Sequence, residues 1–267
     1  MNLIKQHLDQ LAPSTSKESN ITPNYEHLPE LTFEEAEAAI LEGRLKKDRE
    51  LRIAAYAAKI REQPVVYTPS AKDWFNALLN TKSKSGENYQ VTEENSHVVK
   101  QLCLYFANDS RFEGNLNKGI LLMGKPGTGK THLMNFFSSN PRMSYNIPTC
   151  KHIAEQYRTG WKNNDMDTIE YYSSPQKAYH NNRYNQSEFG ICFGDLGAET
   201  EANNYGNKKN VIEEIVFTRY EKGLKFISNH FTTNLDGEDI GKIYGDRMKD
   251  RLREMCNVLL LNCKSWR

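Results

Sequence analysis

Residues 119–137 read GILLMGKPGTGKTHLMNFF. An apolar run from Gly119 to Met123 enters a stretch that satisfies G-x-x-x-x-G-K-[ST] with Gly124, Gly129, Lys130 and Thr131, and a helical pattern follows. Each position has a physical task. Glycines, Gly127 among them, let the backbone turn tightly with its N–H groups aimed at phosphate oxygens, and the helix that follows offers its positive end to the same anion. Lys130 is placed to reach the β- and γ-phosphates, and the Thr131 hydroxyl to hold Mg²⁺. The expected cradle is Gly124, Lys125, Pro126, Gly127, Thr128, Gly129, Lys130, Thr131 and His132, and its expected ligands are ATP and Mg²⁺.

A hydrolysing loop of this kind needs a carboxylate at the end of a neighbouring buried strand, to hold the magnesium shell and orient water. FGICFGDLGAE, residues 189–199, supplies an apolar run followed by Asp195 and Glu199. An Asp in an ordinary strand-to-loop turn is the plainer alternative. Further on, KFISNHFTTN reads as a buried strand at Phe226 to Ser228 running towards Thr233 and Asn234, which suit a γ-phosphate contact and ordinary turn chemistry equally. GDRMKDRLRE places Arg247 and Arg251 at i and i+4 on one helix face. Guanidinium stabilises charge on a transferring phosphoryl group, yet the same helix also reads as a solvated face paired to Asp246, Asp250 and Glu254.

Strand-like runs at residues 119–123, 143–147, 189–193, 224–228 and 258–261, most followed by helical patterns, predict an α/β fold with a central parallel sheet flanked by helices. Residues 1–30 are polar and proline-bearing and read as a flexible arm. Thr32 and Glu35 form a capping box that opens a charged, alanine-rich helix, single or broken near Gly43; residues 31–87 read as a helical partner-binding region. Further helices are expected at about 70–79 and 93–107, with the nucleotide-binding core over residues 88–267. Thirty-five Lys and Arg against 34 Asp and Glu leave a formal charge of +1, so any nucleic-acid contact needs a local patch. One candidate is Tyr157, Arg158, Trp161, Lys162 and the tyrosines from Tyr171 to Tyr184, since bases stack on rings between cations. No run reaches the length of a membrane span and no leader is evident, which points to the cytoplasm. The five cysteines are scattered without a CxxC pair and read as reduced, buried thiols, Cys150 beside His152 included.

Taken together, GKPGTGKTHL, FGDLGAE, FTTNL, GDRMKDRLRE and SWR resemble the ordered motifs of the DnaC/IstB family of AAA+ ATPases, which are helicase loaders and transposition helpers. The resemblance covers residues 90–267 and implies a P-loop AAA+ core behind a small helical N-terminal region. It sets Thr233 and Asn234 at the sensor-1 position, Arg251 where the family carries an arginine finger, Arg247 as a second interface residue, and Ser265, Trp266 and Arg267 at the closing Ser-aromatic-Arg, leaving little room for a lid. One position departs from the family: Gly194 stands where the first of two acids is usual, so Asp195 has to serve both roles with help from Glu199. The function implied is an ATP-hydrolysing loader that places a ring-shaped replicative helicase on single-stranded DNA and self-associates through its ATP site. The alternatives are an IstB-like helper with a transposase partner, an ATP-switch module that hydrolyses poorly, and, more distantly, a small-molecule kinase.

Overall fold

Every residue of the strand Gly119–Met123 (β1) is buried, because the strand is covered on both faces. Alternation divides its side chains. Ile120 and Leu122 pack with Leu102, Phe106, Leu133 and Phe137, while Leu121 and Met123 pack with Phe193, Ile215, Met248 and Leu252. The computed structural model describes residues 32–62, 68–82, 86, 88–163, 165–177, 183–184, 186–199, 202–204 and 207–265. The expected arm at residues 1–30 and the expected roles of Trp266 and Arg267 lie outside them.

In chain order the helices are α1 (Phe33–Glu62), α2 (Ala71–Leu79), α3 (Glu93–Phe106), α4 (Lys130–Phe136), α5 (Cys150–Arg158), α6 (Thr168–Tyr172), α7 (Val211–Glu221) and α8 (Gly237–Met255). After β1 come the strands β2 (Tyr145–Asn146), β3 (Lys162–Asn163), β4 (Met166–Asp167), β5 (Gln176–Lys177), β6 (Glu188–Leu196), β7 (Ala202–Asn204), β8 (Asn207–Lys209), β9 (Asn229–Thr233) and β10 (Cys256–Leu260). The main sheet runs β10-β1-β9-β6-β2 with every neighbour parallel, and β5 adds an antiparallel strand to β6. Residues of α2, α3 and α4 pack on one face, and residues of α5, α7 and α8 on the other.

Contacts divide the chain into residues 1–52 and 53–267. In the first unit, α1 opens on the expected capping box: Thr32 N–H donates to Glu35 Oε2 at 2.8 Å and Glu35 N–H to Thr32 Oγ1 at 3.3 Å. The helix is unbroken at Gly43 and leaves Phe33, Ile40, Leu41, Leu45 and Leu51 exposed. In the second unit, α2 is capped by Ser70 and Asp73 and buries Trp74 and Leu78 against α3 and α4, Trp74 meeting Phe136 and Phe137 at 5.6 and 5.3 Å between ring centroids. Continuous packing therefore reaches back to Ala71, N-terminal to the expected core boundary at Asn88.

The sheet also corrects the expected strands. Residues 224–228 are not a strand: they hold a 3-10 turn at Phe226–Ser228, and the strand is β9, five residues further on. Polar side chains disguised it. All five residues of NHFTT are buried, and they remain in a core because each polar group is satisfied: Asn229 Oδ1 accepts from Arg219, His230 Nδ1 from Ile120 N–H at 3.0 Å, and Thr232 Oγ1 from Asp195 N–H at 3.0 Å. The expected strand at 143–147 shrinks to Tyr145–Asn146, and β6 extends past Phe193 through Asp195 to Leu196. Arg219 is 1% exposed, and its guanidinium ties α7 to Tyr172 O, Ser228 and Asn229. Burial brings its pKa down to about 10.

Candidate nucleotide site and arginine helix

The loop after β1 is built where the parallel strands end, the edge at which α/β sheets receive ligands. Two of its glycines stand where no side chain fits. A Cβ on Gly124 would lie 2.3 Å from Leu261 O, and one on Gly127, whose φ is +84°, would lie 2.1 Å from Ser265 Oγ. The segment after β10 thus lies directly on the loop, joined to it by Leu261 N–H to Met123 O at 2.7 Å and a Cys263 Sγ contact to Thr128 O at 3.5 Å. Nothing in the sequence signalled this segment as part of the site.

Lys130 is 4% exposed, and its Nζ donates to Gly124 O at 2.6 Å, Lys125 O at 2.9 Å and Asn234 Oδ1 at 2.7 Å. The last bond brings the residue after β9 to the loop lysine across 104 positions of sequence. Thr233 braces the junction: its Oγ1 donates to Leu196 O at 2.6 Å and accepts from Leu235 N–H, while its carbonyl accepts from Gly124 N–H at 3.2 Å. Lys125, Pro126 and Thr131 are exposed, and Thr128 is buried with its hydroxyl on Lys125 O. His132 stacks on Tyr89 at 5.3 Å with 1° between the rings and meets Thr81 Oγ1 at 3.3 Å; partial burial lowers its pKa.

Asp195 sits at the end of β6 in a left-handed conformation, φ +53°, where the β6–β9 register shifts. Glu199 is held by two groups: Gly197 N–H donates to Oε2 at 2.9 Å, and Tyr244 Oη, from α8, donates to Oε1. Burial raises the Glu199 pKa, against the effect of the Tyr244 bond. Tyr244 was missed by sequence reading, although a signal existed: it interrupts the apolar stripe Ile240, Met248, Leu252, Met255 of α8 with a hydroxyl. Thr131 and Asp195 offer a hydroxyl and a carboxylate, hard oxygen donors suited to Mg²⁺, which keeps waters and nucleotide oxygens for its remaining positions. Among the described residues no three His, Cys, Asp or Glu gather to hold a metal by themselves, Cys150 and His152 included. Gly194 is buried, and a Cβ there would lie 3.3 Å from Pro148 O, so a side chain needs that carbonyl to give by a few tenths of an ångström.

The sheet order carries the fold assignment: the loop strand β1 lies between β10 and β9, with β9 inserted between it and the Asp195 strand β6. The chain has an α/β P-loop fold, with a central parallel sheet flanked by helices. No family model matches the sequence, and no curated protein matches it. Among solved structures it is similar to the DnaC helicase loader, at 17% identity and a TM-score of 0.46 over 71% of this chain and 99% of that one. It is also similar to AMPPCP-bound DnaA from Aquifex aeolicus, at 16% identity and a TM-score of 0.43 over 65% of this chain and 48% of that one.

Within this fold Arg247 and Arg251 belong to the half of α8 that leads into β10, whose first residue Cys256 pairs with Gly119 at the start of β1. That half of α8 runs back towards the edge of the sheet opposite the loop. Both arginines rest on α7. Arg247 lies 4.4 Å over the Phe217 ring and 3.4 Å from Glu221; Arg251 lies 4.1 Å over Tyr220 and donates from Nη1 to Glu254 Oε2 at 2.9 Å. The candidate DNA segment is partly structural. Tyr172 is buried with its hydroxyl on Gln156, Trp161 packs on Tyr171, and Arg158 pairs with Glu155, while Tyr179 lies outside the described residues. A cavity of 340 Å³ opens beside it, lined by Asn146, His152, Tyr171, Tyr172 and Gln176. Among the described residues no helix is long and apolar enough to cross a membrane.

Proposed function

We propose that the chain is an ATP-binding and ATP-hydrolysing loader of DnaC type that acts in DNA replication in the cytoplasm, placing a ring-shaped replicative helicase on single-stranded DNA. The observation that carries the nucleotide part is the bond from Lys130 Nζ to Asn234 Oδ1 at 2.7 Å, beside a loop in which a Cβ on Gly124 or Gly127 would collide with the segment after β10. It gathers the cation for the β- and γ-phosphates and a polar group able to report the γ-phosphate at one point. In this reading the loop from Gly124 to His132 binds the phosphates, Thr131 and Asp195 hold Mg²⁺, and Asp195 also orients the attacking water. Mg²⁺ held there neutralises charge on the phosphates. Arg251, and beside it Arg247, serve the nucleotide of the next subunit, since they belong to the far end of α8 from their own loop.

The loader reading rests on the ordered motifs and on α1, whose exposed Leu41, Leu45 and Leu51 offer a helicase an apolar contact. The test is a pull-down with the full chain against replicative helicase and transposase, repeated with Leu45→Asp and Leu51→Asp. Helicase capture that both substitutions abolish supports the reading; capture of transposase alone replaces it with the IstB-like helper. One observation favours a second reading, the slow ATP switch: with Gly194 in place of an acid, Glu199 is engaged by Tyr244 and Gly197.

A further inference from the structure

Arg251, Glu254 and Tyr220 close a triangle on the outer side of α7 and α8. Arg251 Nη1 donates to Glu254 Oε2 at 2.9 Å, Tyr220 Oη donates to Glu254 Oε1 at 2.8 Å, and the guanidinium carbon lies 4.1 Å over the Tyr220 ring. One carboxylate thus binds the arginine with one oxygen and the tyrosine beneath it with the other. Stacking fixes the plane of the guanidinium, and the ion pair fixes its rotation within that plane. A free arginine side chain samples many rotamers, a freedom that an unbraced one loses when it engages phosphate. Arg251 is 32% exposed and a guanidinium has further N–H donors besides Nη1, so the bracing leaves it able to meet an acceptor outside the chain. Arg247 lacks this bracing: it rests on Phe217, which has no hydroxyl to hold Glu221, and it is 65% exposed.

We propose that Tyr220 and Glu254 are positioning residues for Arg251, presenting its guanidinium in a fixed plane to the nucleotide of the neighbouring subunit. This rests on the reading of Arg251 as a residue acting in trans. The two helices form a rigid mount, because α7 buries Ile212, Ile215 and Val216 and α8 buries Met248 and Leu252 in the same core. A fixed donor at the site of developing charge needs no reorganisation at the moment of reaction.

ATP turnover by full-length variants tests it. Tyr220→Ala and Glu254→Gln lower kcat about tenfold with KM for ATP changed less than about twofold, and Tyr220→Phe, which keeps the ring and frees the carboxylate, falls about threefold. Mixing separates the layers. A Lys130→Ala chain cannot turn over ATP itself but lends its arginine, so it restores turnover to an Arg251→Ala chain; a Lys130→Ala/Tyr220→Ala chain does not. Equal rescue by both donors overturns the positioning role while leaving the trans reading intact, and absence of rescue by the Lys130→Ala chain removes the trans reading itself. Normal kcat with lowered thermal stability in Tyr220→Ala and Glu254→Gln marks a plain brace between helices and overturns the proposal, as does nucleotide affinity lost in step with turnover.

Discussion

At His230 an imidazole stands where a strand carbonyl would otherwise serve: its Nδ1 accepts from Ile120 N–H at 3.0 Å, fully enclosed by Tyr105, Phe106 and Tyr145. Burial lowers its pKa to about 3, so the folded protein holds it neutral. The unfolded chain takes up the proton near its ordinary value of about 6.5, so stability is fully present above that pH and is lost as pH falls towards the folded value, at about 1.4 kcal/mol per unit from this group. Urea unfolding between pH 7 and pH 5 should therefore show a steeper loss for the wild type than for His230→Gln, and equal slopes would refute the assignment. Gly194 is the other residue whose chemistry is open to a single change. Its backbone is not in the left-handed region, and a Cβ would lie 3.3 Å from Pro148 O, so aspartate requires that carbonyl to give way by a few tenths of an ångström. Gly194→Asp is expected to raise ATP turnover about tenfold by supplying the acid the motif lacks. Unchanged turnover in a folded variant would sink that account of the departure.

Among the elements, α2 shows how packing overrides composition. Its nine residues lie in a stretch that reads as a partner-binding region, yet Trp74 is wedged between α4 and the sheet's covering layer. Trp74→Ala should cost about 3–5 kcal/mol in equilibrium unfolding, whereas Trp74→Phe should cost much less, since the indole N–H it removes has no partner among the described residues. A small loss in Trp74→Ala would show that α2 is peripheral. The contrast between α2 and β9 also explains what could be read from the chain. β1 and α4 were legible because the phosphate loop demands its own strand, turn and helix within a few residues. β9 was displaced because its burial depends on Arg219, Ile120 and Asp195 satisfying its polar side chains, and those partners are far away in sequence. Asn234 was legible as a candidate, its bond to Lys130 was not, and Tyr244 and the segment from Leu261 to Ser265 join the site only through the closed sheet.

For the whole molecule, ligand linkage gives a prediction independent of turnover. Mg-ATP at a hundred times its Kd should stabilise the fold by about 2.7 kcal/mol, read as a rise in Tm, and Lys130→Ala should abolish the rise. The same scale brings in Gly245, which bends α8 between the half that follows Asn234 and the half that carries Arg247 and Arg251, at φ +82° and ψ 167°. No atom lies within 4 Å of where its Cβ would stand, so a substitution there meets torsion and no neighbour. That conformation is essentially closed to L-residues, at of order 1–3 kcal/mol, and open to their mirror images. A D-alanine placed at 245 by chemical ligation matches the torsions of the bend while removing the slackness of glycine. If such a chain still lends its arginine to an Arg251→Ala partner, the bend works as a set angle; if it does not, handedness at one carbon will have exposed a joint that has to move.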